Sequence, residues 1–206
     1  MAGFNGFAFR DFDNLVCGDA KSRRVIRHKL ALLVDDVYAS FSPELKERFQ
    51  HRGLYPITSG IYCGFFYRFK QRQLSPFYII LVTADDVTLE LRLEGKKAVM
   101  QCLCKAKAQM RHFLELIEGF KALKDVELAV WDYSPKGHSK VCKLYPDYID
   151  ADVVEFLSLK IKKTTRPVIK FRRIFSRDES VLYSKALAEQ IAAMVEQLDE
   201  LYEFIG

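Results

Sequence analysis

Apolar residues recur along this chain with two distinct periods. Between Ala20 and Phe41, the residues Ile26, Leu30, Leu33 and Val37 follow at steps of four, three and four, which places them on one face of a helix. From Ile61 to Phe69 every second residue is apolar (Ile61, Cys63, Phe65, Tyr67, Phe69), the signature of a strand with one buried side. Two more strands follow. Phe77 to Thr83 is a continuous apolar run, and Val87, Leu89, Leu91 and Leu93 alternate with Thr88, Glu90 and Arg92. Ala84, Asp85 and Asp86 between them supply a tight connection, since Asp hydrogen-bonds the backbone that follows it. Val99, Leu103, Ala106, Met110, Phe113 and Ile117 return to helical spacing, with Gly119 as the end signal. Val126 to Tyr133 and Val141 to Tyr145 read as strands on either side of a polar loop, Ser134 to Lys140. A further helix starts near Asp152, where Asp152 and Glu155 form a capping pair, and runs to about Lys162. In the strand from Val168 to Phe175, Ile169, Phe171 and Phe175 lie on one side and Lys170 and Arg172 on the other.

Strands that follow one another without intervening helices favour antiparallel pairing, so the pattern predicts an α+β fold: a mainly antiparallel sheet flanked by helices, in one domain over residues 1–206. No internal repeat and no Gly/Ser/Pro-rich linker divides the chain. The last segment is a long amphipathic helix carrying Leu187, Ile191, Met194, Leu198, Leu201 and Ile205 at heptad spacing. Such a seam either packs on the chain's own core or forms a homodimer with a second copy.

Composition changes this picture little. Half of the 206 residues are hydrophobic, with 10 Gly and 6 Pro, which excludes collagenous and disordered classes. The longest apolar runs fall far short of the ~20 residues a membrane-spanning helix needs, and residues 1–10 lack the features of a secretory signal. Five scattered cysteines (Cys17, Cys63, Cys102, Cys104, Cys142), an odd number in a chain long enough to need no disulfide, fit a reducing cytoplasm.

The opening residues, Phe4-Asn5-Gly6-Phe7-Ala8-Phe9-Arg10-Asp11-Phe12-Asp13, resemble the start of the YktB-like proteins, an uncharacterised bacterial family that begins with a Phe-x-Gly-Phe-x-x-x-Asp-Phe pattern. Arg23 and the pair Ile26-Arg27 resemble the family's arginine-containing helix with a shift of one residue, and the aromatic strand and hairpin from Tyr62 to Leu93 follow in compatible order. The resemblance spans under half the chain, and Tyr62 to Phe69 lacks the family's tryptophan-containing strand. It implies a compact α+β domain and no established activity. Read from the residues alone, Phe4, Phe7, Phe9 and Phe12 are packing side chains that anchor the N-terminal segment.

Charge supplies the strongest functional signal. The net charge is +5, but from Lys160 to Arg177 eight basic residues (Lys160, Lys162, Lys163, Arg166, Lys170, Arg172, Arg173, Arg177) occur without one acid. A nucleic-acid backbone meeting such a stretch releases condensed counterions, which favours binding whatever the base sequence. Lys162, Lys163, Arg166, Lys170, Arg172 and Arg173 are therefore the leading candidates for phosphate contacts, and Arg23, Arg24 and Arg27 on the first helix are a second group. The competing reading is a solvated surface offset by the acidic last helix (Glu189, Glu196, Asp199, Glu200, Glu203). Lys105, Lys107, Arg111 and His112 form a third basic group, and Trp131 and Tyr133 stand beside the loop Ser134 to Lys140, where aromatic faces next to cations suit base stacking.

Catalytic motifs are scarce. Cys102 and Cys104 are one residue apart and point different ways on a helix, no His-Glu-x-x-His or Gly-x-Ser-x-Gly pattern occurs, and Gly137 belongs to no phosphate-cradling loop. No cofactor and no metal are expected. A metal-dependent nuclease would need converging carboxylates with a lysine, and the nearest approach is Asp85 or Asp86 with Glu90 and Arg92, in which Glu90 is expected to face solvent on the hairpin. The sequence thus favours a nucleic-acid-binding protein, with a dimerisation module and a nuclease-like hydrolase as alternatives.

Overall fold

The computed structural model describes all residues except 1–2, 56–61, 69–75 and 135–136, and no side chains at 134, 137 and 138. Ile61 and Phe69 of the expected strand, with Pro135 and Lys136 of the polar loop, lie outside the described residues. In chain order the elements are α1 (Phe9–Cys17), α2 (Ala20–Ser40), α3 (Pro43–Arg48), β1 (His51–Leu54), β2 (Tyr62–Tyr67), β3 (Phe77–Val82), β4 (Asp86–Glu94), α4 (Lys96–Ala108), α5 (Met110–Lys121), β5 (Val126–Ser134), β6 (Gly137–Leu144), α6 (Ala151–Lys162), β7 (Pro167–Ser176), α7 (Ala186–Gln197) and α8 (Asp199–Ile205). The strands hydrogen-bond in the order β1-β2-β3-β4-β7-β5-β6 in an antiparallel sheet, an α+β fold. No described helix is long and apolar enough to cross a membrane.

The chain forms two compact units. The first comprises Met1–Arg68, Tyr78–Leu89 and Ile174–Glu196. Here Phe4, Phe7 and Phe12 are buried in contact with one another, and Phe12 meets Tyr183 edge to face at 6.3 Å. Phe9 stays 59% exposed, with the Arg177 guanidinium 3.8 Å from its ring centre. The polar residues of the same segment have structural work: Asp11 accepts from the Ala8 backbone N–H and from Lys29 Nζ at 2.6 Å, and Asp13 accepts from Arg177 Nη2 at 2.7 Å. Gly6 adopts φ +96°, which brings its backbone against Tyr183 and Ser184 while the Phe7 N–H donates to the Leu182 carbonyl at 2.9 Å. The helical face predicted for α2 is buried at Ile26, Leu30, Leu33 and Val37, and Asp19 caps the helix by accepting from the Ser22 N–H at 2.7 Å.

The second unit comprises Phe69–Phe77, Glu90–Arg173 and Gln197–Gly206. The long helix expected around Val99 to Ile117 is two helices, α4 and α5, because Gln109 leaves helical geometry at φ −122°, ψ 42°. Gly119 does not end the second of these, which continues to Lys121. Phe120 packs edge to face on Phe171 of β7, and Phe113 meets Phe204 of α8. The cap of α6 is Asp150, accepting from the Val153 N–H at 2.9 Å, rather than the Asp152 and Glu155 pair.

The heptad seam also differs from expectation. Leu198 separates α7 from α8, and Leu187, Ile191, Met194, Leu198, Leu201 and Ile205 are all buried within the chain. The surface expected to carry homodimerisation is thus part of the protein's own core, and no apolar stripe is left there for a second copy.

Candidate functional site

The alternation of β4 puts Glu90, Arg92 and Glu94 on one face of the second unit's sheet, opposite Leu91 and Leu93. The register of β5 with β7 sets Glu127 across from Arg172, Ala129 across from Lys170 and Trp131 across from Val168, so these side chains share a face. In β6, Lys143 lies across from Ala129. Four strands thereby gather a set of charges that no stretch of sequence displays.

Within this set Glu90 is completely buried. Arg92 Nε donates to Glu90 Oε2, Arg172 Nε lies 2.8 Å from Oε1, and Lys170 Nζ lies 3.7 Å from the same oxygen. Arg172 Nη1 also donates to Glu127 Oε1 at 2.5 Å, Lys143 Nζ pairs with Glu127 Oε2, and Arg92 Nη1 lies 3.7 Å from Glu94 Oε1. Acids and bases therefore alternate along the chain Glu94, Arg92, Glu90, Arg172, Glu127, Lys143, with Lys170 attached at its side.

The electrostatics follow from burial against pairing. Burial pushes the Glu90 carboxyl up, but Arg92, Lys170 and Arg172 together outweigh it and hold the group below the ordinary carboxylate range. For Arg92 burial pulls down and Glu90 more than restores it, so the guanidinium stays charged. Lys170 is the exception: burial, reinforced by Arg92 and Arg172, brings its ammonium down to about 8 despite the opposing pull of Glu90. The Tyr133 hydroxyl is raised, first by burial and then by Glu90 and Glu94.

This arrangement corrects four sequence-derived assignments. Lys170 and Arg173 are buried and Arg172 is only partly exposed. Their positive charge is directed at Glu90, Glu127 and Asp125 of the same unit, with Arg173 Nη1 at 3.6 Å from Asp125 Oδ2. They are not surface phosphate contacts. Glu90 likewise does not face solvent, because the side chains of Arg92, Lys170 and Arg172 close around its carboxylate. Sequence reasoning missed Glu127 and Lys143. The available signal was the position of Glu127 between the apolar Val126 and Leu128, which marks a polar side on an otherwise apolar strand.

The remaining candidates are solvent-exposed. Lys162, Lys163 and Arg166 lie at and beyond the end of α6, and the start of α4 stands beside them. Gly95, at φ +96°, turns the chain from β4 into α4, and its N–H donates to the Pro167 carbonyl at 3.0 Å. Lys96 Nζ then donates to the Lys162 carbonyl at 2.9 Å. Arg166 is held by its backbone, whose N–H donates to Asp132 Oδ1 at 2.9 Å and whose carbonyl accepts from the Tyr133 N–H at 2.9 Å. Lys96, Lys97, Lys160, Lys162, Lys163 and Arg166 are all exposed, Lys96 lies against the end of α6, and none makes an ion pair with a described carboxylate, although Glu155 feels the charge of Lys162. Lys160 lies over the ring of Phe156, which is itself 43% exposed.

In the first unit Arg23, Arg24 and Arg27 are exposed on α2 and have no carboxylate within ion-pair distance among the described residues. Arg23 and Arg27 act on the Tyr62 hydroxyl, which burial raises and which their charges draw back down. The third basic group is internally compensated: Lys105 Nζ donates to the Phe204 carbonyl, Lys107 pairs with Glu155, and Arg111 and His112 face Glu115.

Among the described residues no three His, Cys, Asp or Glu side chains converge as metal ligands would. Asp86 instead shapes the hairpin before β4, accepting from Thr83 Oγ1 at 3.2 Å and Thr88 Oγ1 at 3.1 Å. No protein-family model matches the chain, and no curated protein matches it.

Proposed function

We propose that this protein binds nucleic acid through its phosphates, using Lys96, Lys97, Lys160, Lys162, Lys163 and Arg166 as the principal contacts and Arg23, Arg24 and Arg27 as a second exposed group. The observation that carries the reading is the hydrogen bond from Lys96 to the Lys162 carbonyl, which brings the lysines of two separate helices together with no described carboxylate paired to them. The first turn of α4 contains no acid and two lysines, a pairing that the positive end of the helix dipole disfavours unless an anion is near. Phe156 beside Lys160 adds an aromatic face on which a base can stack. An odd number of scattered cysteines, in a chain long enough to need no disulfide, suits a reducing compartment, and we place the protein in the cytoplasm on that ground.

Six phosphate contacts give a slope of about −5 in the logarithm of affinity against the logarithm of salt concentration, so a short duplex should bind about a thousandfold more weakly at ~200 mM than at ~50 mM salt. The triple reversal Lys162→Glu, Lys163→Glu, Arg166→Glu is expected to lower affinity at least tenfold and to flatten that slope. Reversal of Lys121, which is paired with Glu118 and Asp147, should change neither. Fluorescence anisotropy with a labelled duplex and a labelled single strand measures all of this. Affinity indifferent to salt, or untouched by the triple reversal, rules the reading out.

A further inference from the structure

The hydroxyl of Tyr62 is buried in the first unit and has no hydrogen-bond partner among the described residues. Its place follows from how α2 lies on β2. Gly64 leaves room for the helix: a Cβ there would stand 2.4 Å from Val34 Cγ2 and 3.6 Å from Leu30 Cδ1. Phe66, two residues on and on the same side of the strand, meets Phe41 just beyond the end of α2, with ring centres 5.3 Å apart. Helix and strand therefore run in the same direction, and Tyr62, two residues before Gly64 on that side, lies toward the start of α2. Steps of four, three and four put Arg23 and Arg27 on the same stripe of the helix as Leu30 and Val34, one and two turns before Leu30.

Arg23 and Arg27 are also the charges that act on the Tyr62 hydroxyl. Burial outweighs them and raises the group, so it stays protonated and able to donate at neutral pH. Both arginines are exposed, and neither makes an ion pair or a side-chain hydrogen bond with a described residue. Asp19, one turn before Arg23, feels its charge, but that carboxylate is engaged by the Ser22 N–H as the cap of α2. Lys21 and Arg24 add further positive charge to the same two turns. Two guanidinium forks and a phenol hydroxyl, all of them donors, thus stand together with no acceptor among the described residues. A buried donor left unmet is costly, so the arrangement marks a place where an acceptor belongs.

We infer that Arg23, Arg27 and Tyr62 bind a phosphate monoester, its oxygens accepting from the two guanidinium groups and the phenol hydroxyl. The guanidinium fork matches phosphate oxygens, and a dianion gains more from two cations than the monoanionic phosphates within a strand do. Such a group ends a phosphorylated nucleic-acid strand or sits on a free mononucleotide. The inference deepens the proposed function and rests on it for the strand-end source alone, not for the site.

Inorganic phosphate, titrated to ~50 mM into the full-length chain at constant ionic strength and neutral pH, tests the site. The Arg23 and Arg27 Nε–H resonances, identified by their loss in Arg23→Gln and Arg27→Gln, should both shift to saturation. Each substitution should abolish the shift of the other arginine, which two separately solvated side chains would not do. Tyr62→Phe should weaken phosphate about threefold or more and leave Tm unchanged or higher, because the hydroxyl it removes is unsatisfied in the free protein. Dimethyl phosphate, a monoanion, should bind about tenfold more weakly than phosphate. No saturable shift, a shift that survives loss of the other arginine, or equal affinity in Tyr62→Phe overturns the proposal. Fluorescence anisotropy reads the source separately. A single strand with a terminal phosphate should bind about tenfold tighter than its hydroxyl-ended twin, and the triple reversal at Lys162, Lys163 and Arg166 should weaken both while keeping that ratio. Equal binding of the two strands beside a saturable phosphate response supports the site and assigns it to a free mononucleotide. Salt-independent binding of both strands refutes the nucleic-acid reading, and the phosphate response alone then upholds or overturns the site.

Discussion

Exchanging Glu90 for Gln is expected to destabilise the protein by about 3–5 kcal/mol at neutral pH, because removing one member of a buried ion network leaves its partners as uncompensated internal charges. Among the described residues Glu90 is the only acid within 4 Å of Lys170; Arg92 Nε donates to its carboxylate, and Arg172 Nε lies 2.8 Å from its Oε1. The amide keeps the shape and loses the charge, so the measured cost is electrostatic rather than a packing defect. Urea unfolding at pH 7 reads it directly. The pH dependence adds a second check. The folded pKa of Glu90 lies below its unfolded value of about 4.5, so its contribution is fully present above that value and is lost as pH falls through the folded pKa. The gap between wild type and Glu90→Gln should therefore be widest at neutral pH and narrow below about pH 4.5. A gap under about 1 kcal/mol at pH 7 would mean that Arg92, Arg172 and Lys170 are balanced by something other than this carboxylate. It would also return Glu90 to the list of groups available for chemistry, which is the nuclease-like reading in its testable form.

That network explains how far the sequence could be read. The strand from Pro167 to Ser176 is legible in its alternation, including which residues share a side, since Ile169 and Phe171 do lie opposite Lys170 and Arg172. What alternation does not report is whether the polar side meets water or another polar side. The partner of Arg172 is Glu127, 45 positions earlier in the chain, and the two are joined only by a strand order in which β7 sits between β4 and β5. The same limit applies to helix ends. Gln109 and Leu198 each interrupt an unbroken apolar period, because one residue out of helical geometry leaves the spacing of buried positions nearly unchanged. Strand β1 is four residues long and contains Gly53, too short and too weakly patterned to be seen beforehand. By contrast, Lys162, Lys163 and Arg166 were legible as exposed cations, since a polar run after an amphipathic helix has nowhere to bury them. Their neighbours Lys96 and Lys97 were not, because they adjoin α6 only through the turn at Gly95.

The N-terminal motif yields the second large effect. Gly6→Ala is expected to cost about 3 kcal/mol or more, for two reasons that act together. The backbone at Gly6 has φ +96°, a conformation that a Cβ disfavours. A methyl group there would also lie 2.3 Å from the Tyr183 carbonyl carbon and 2.5 Å from the Ser184 nitrogen, and both are backbone atoms that cannot swing aside as a side chain would. The same stretch carries the hydrogen bond from Phe7 to Leu182 and the contacts of Phe7 and Phe12, so relieving the clash moves buried aromatic rings. Gly119→Ala is the matched comparison: it lies inside α5 with nothing within 4 Å of the added methyl, and alanine there should raise stability by about 0.5–1 kcal/mol through helix propensity alone. For a chain of this size, 1 kcal/mol moves the unfolding midpoint by about 2–4 °C, so the two variants should shift Tm in opposite directions and differ by roughly 7–16 °C. If Gly6→Ala unfolds within a degree or two of wild type, the N-terminal segment is not seated against Tyr183 and Ser184, and the aromatic cluster of Phe4, Phe7 and Phe12 is not anchored there.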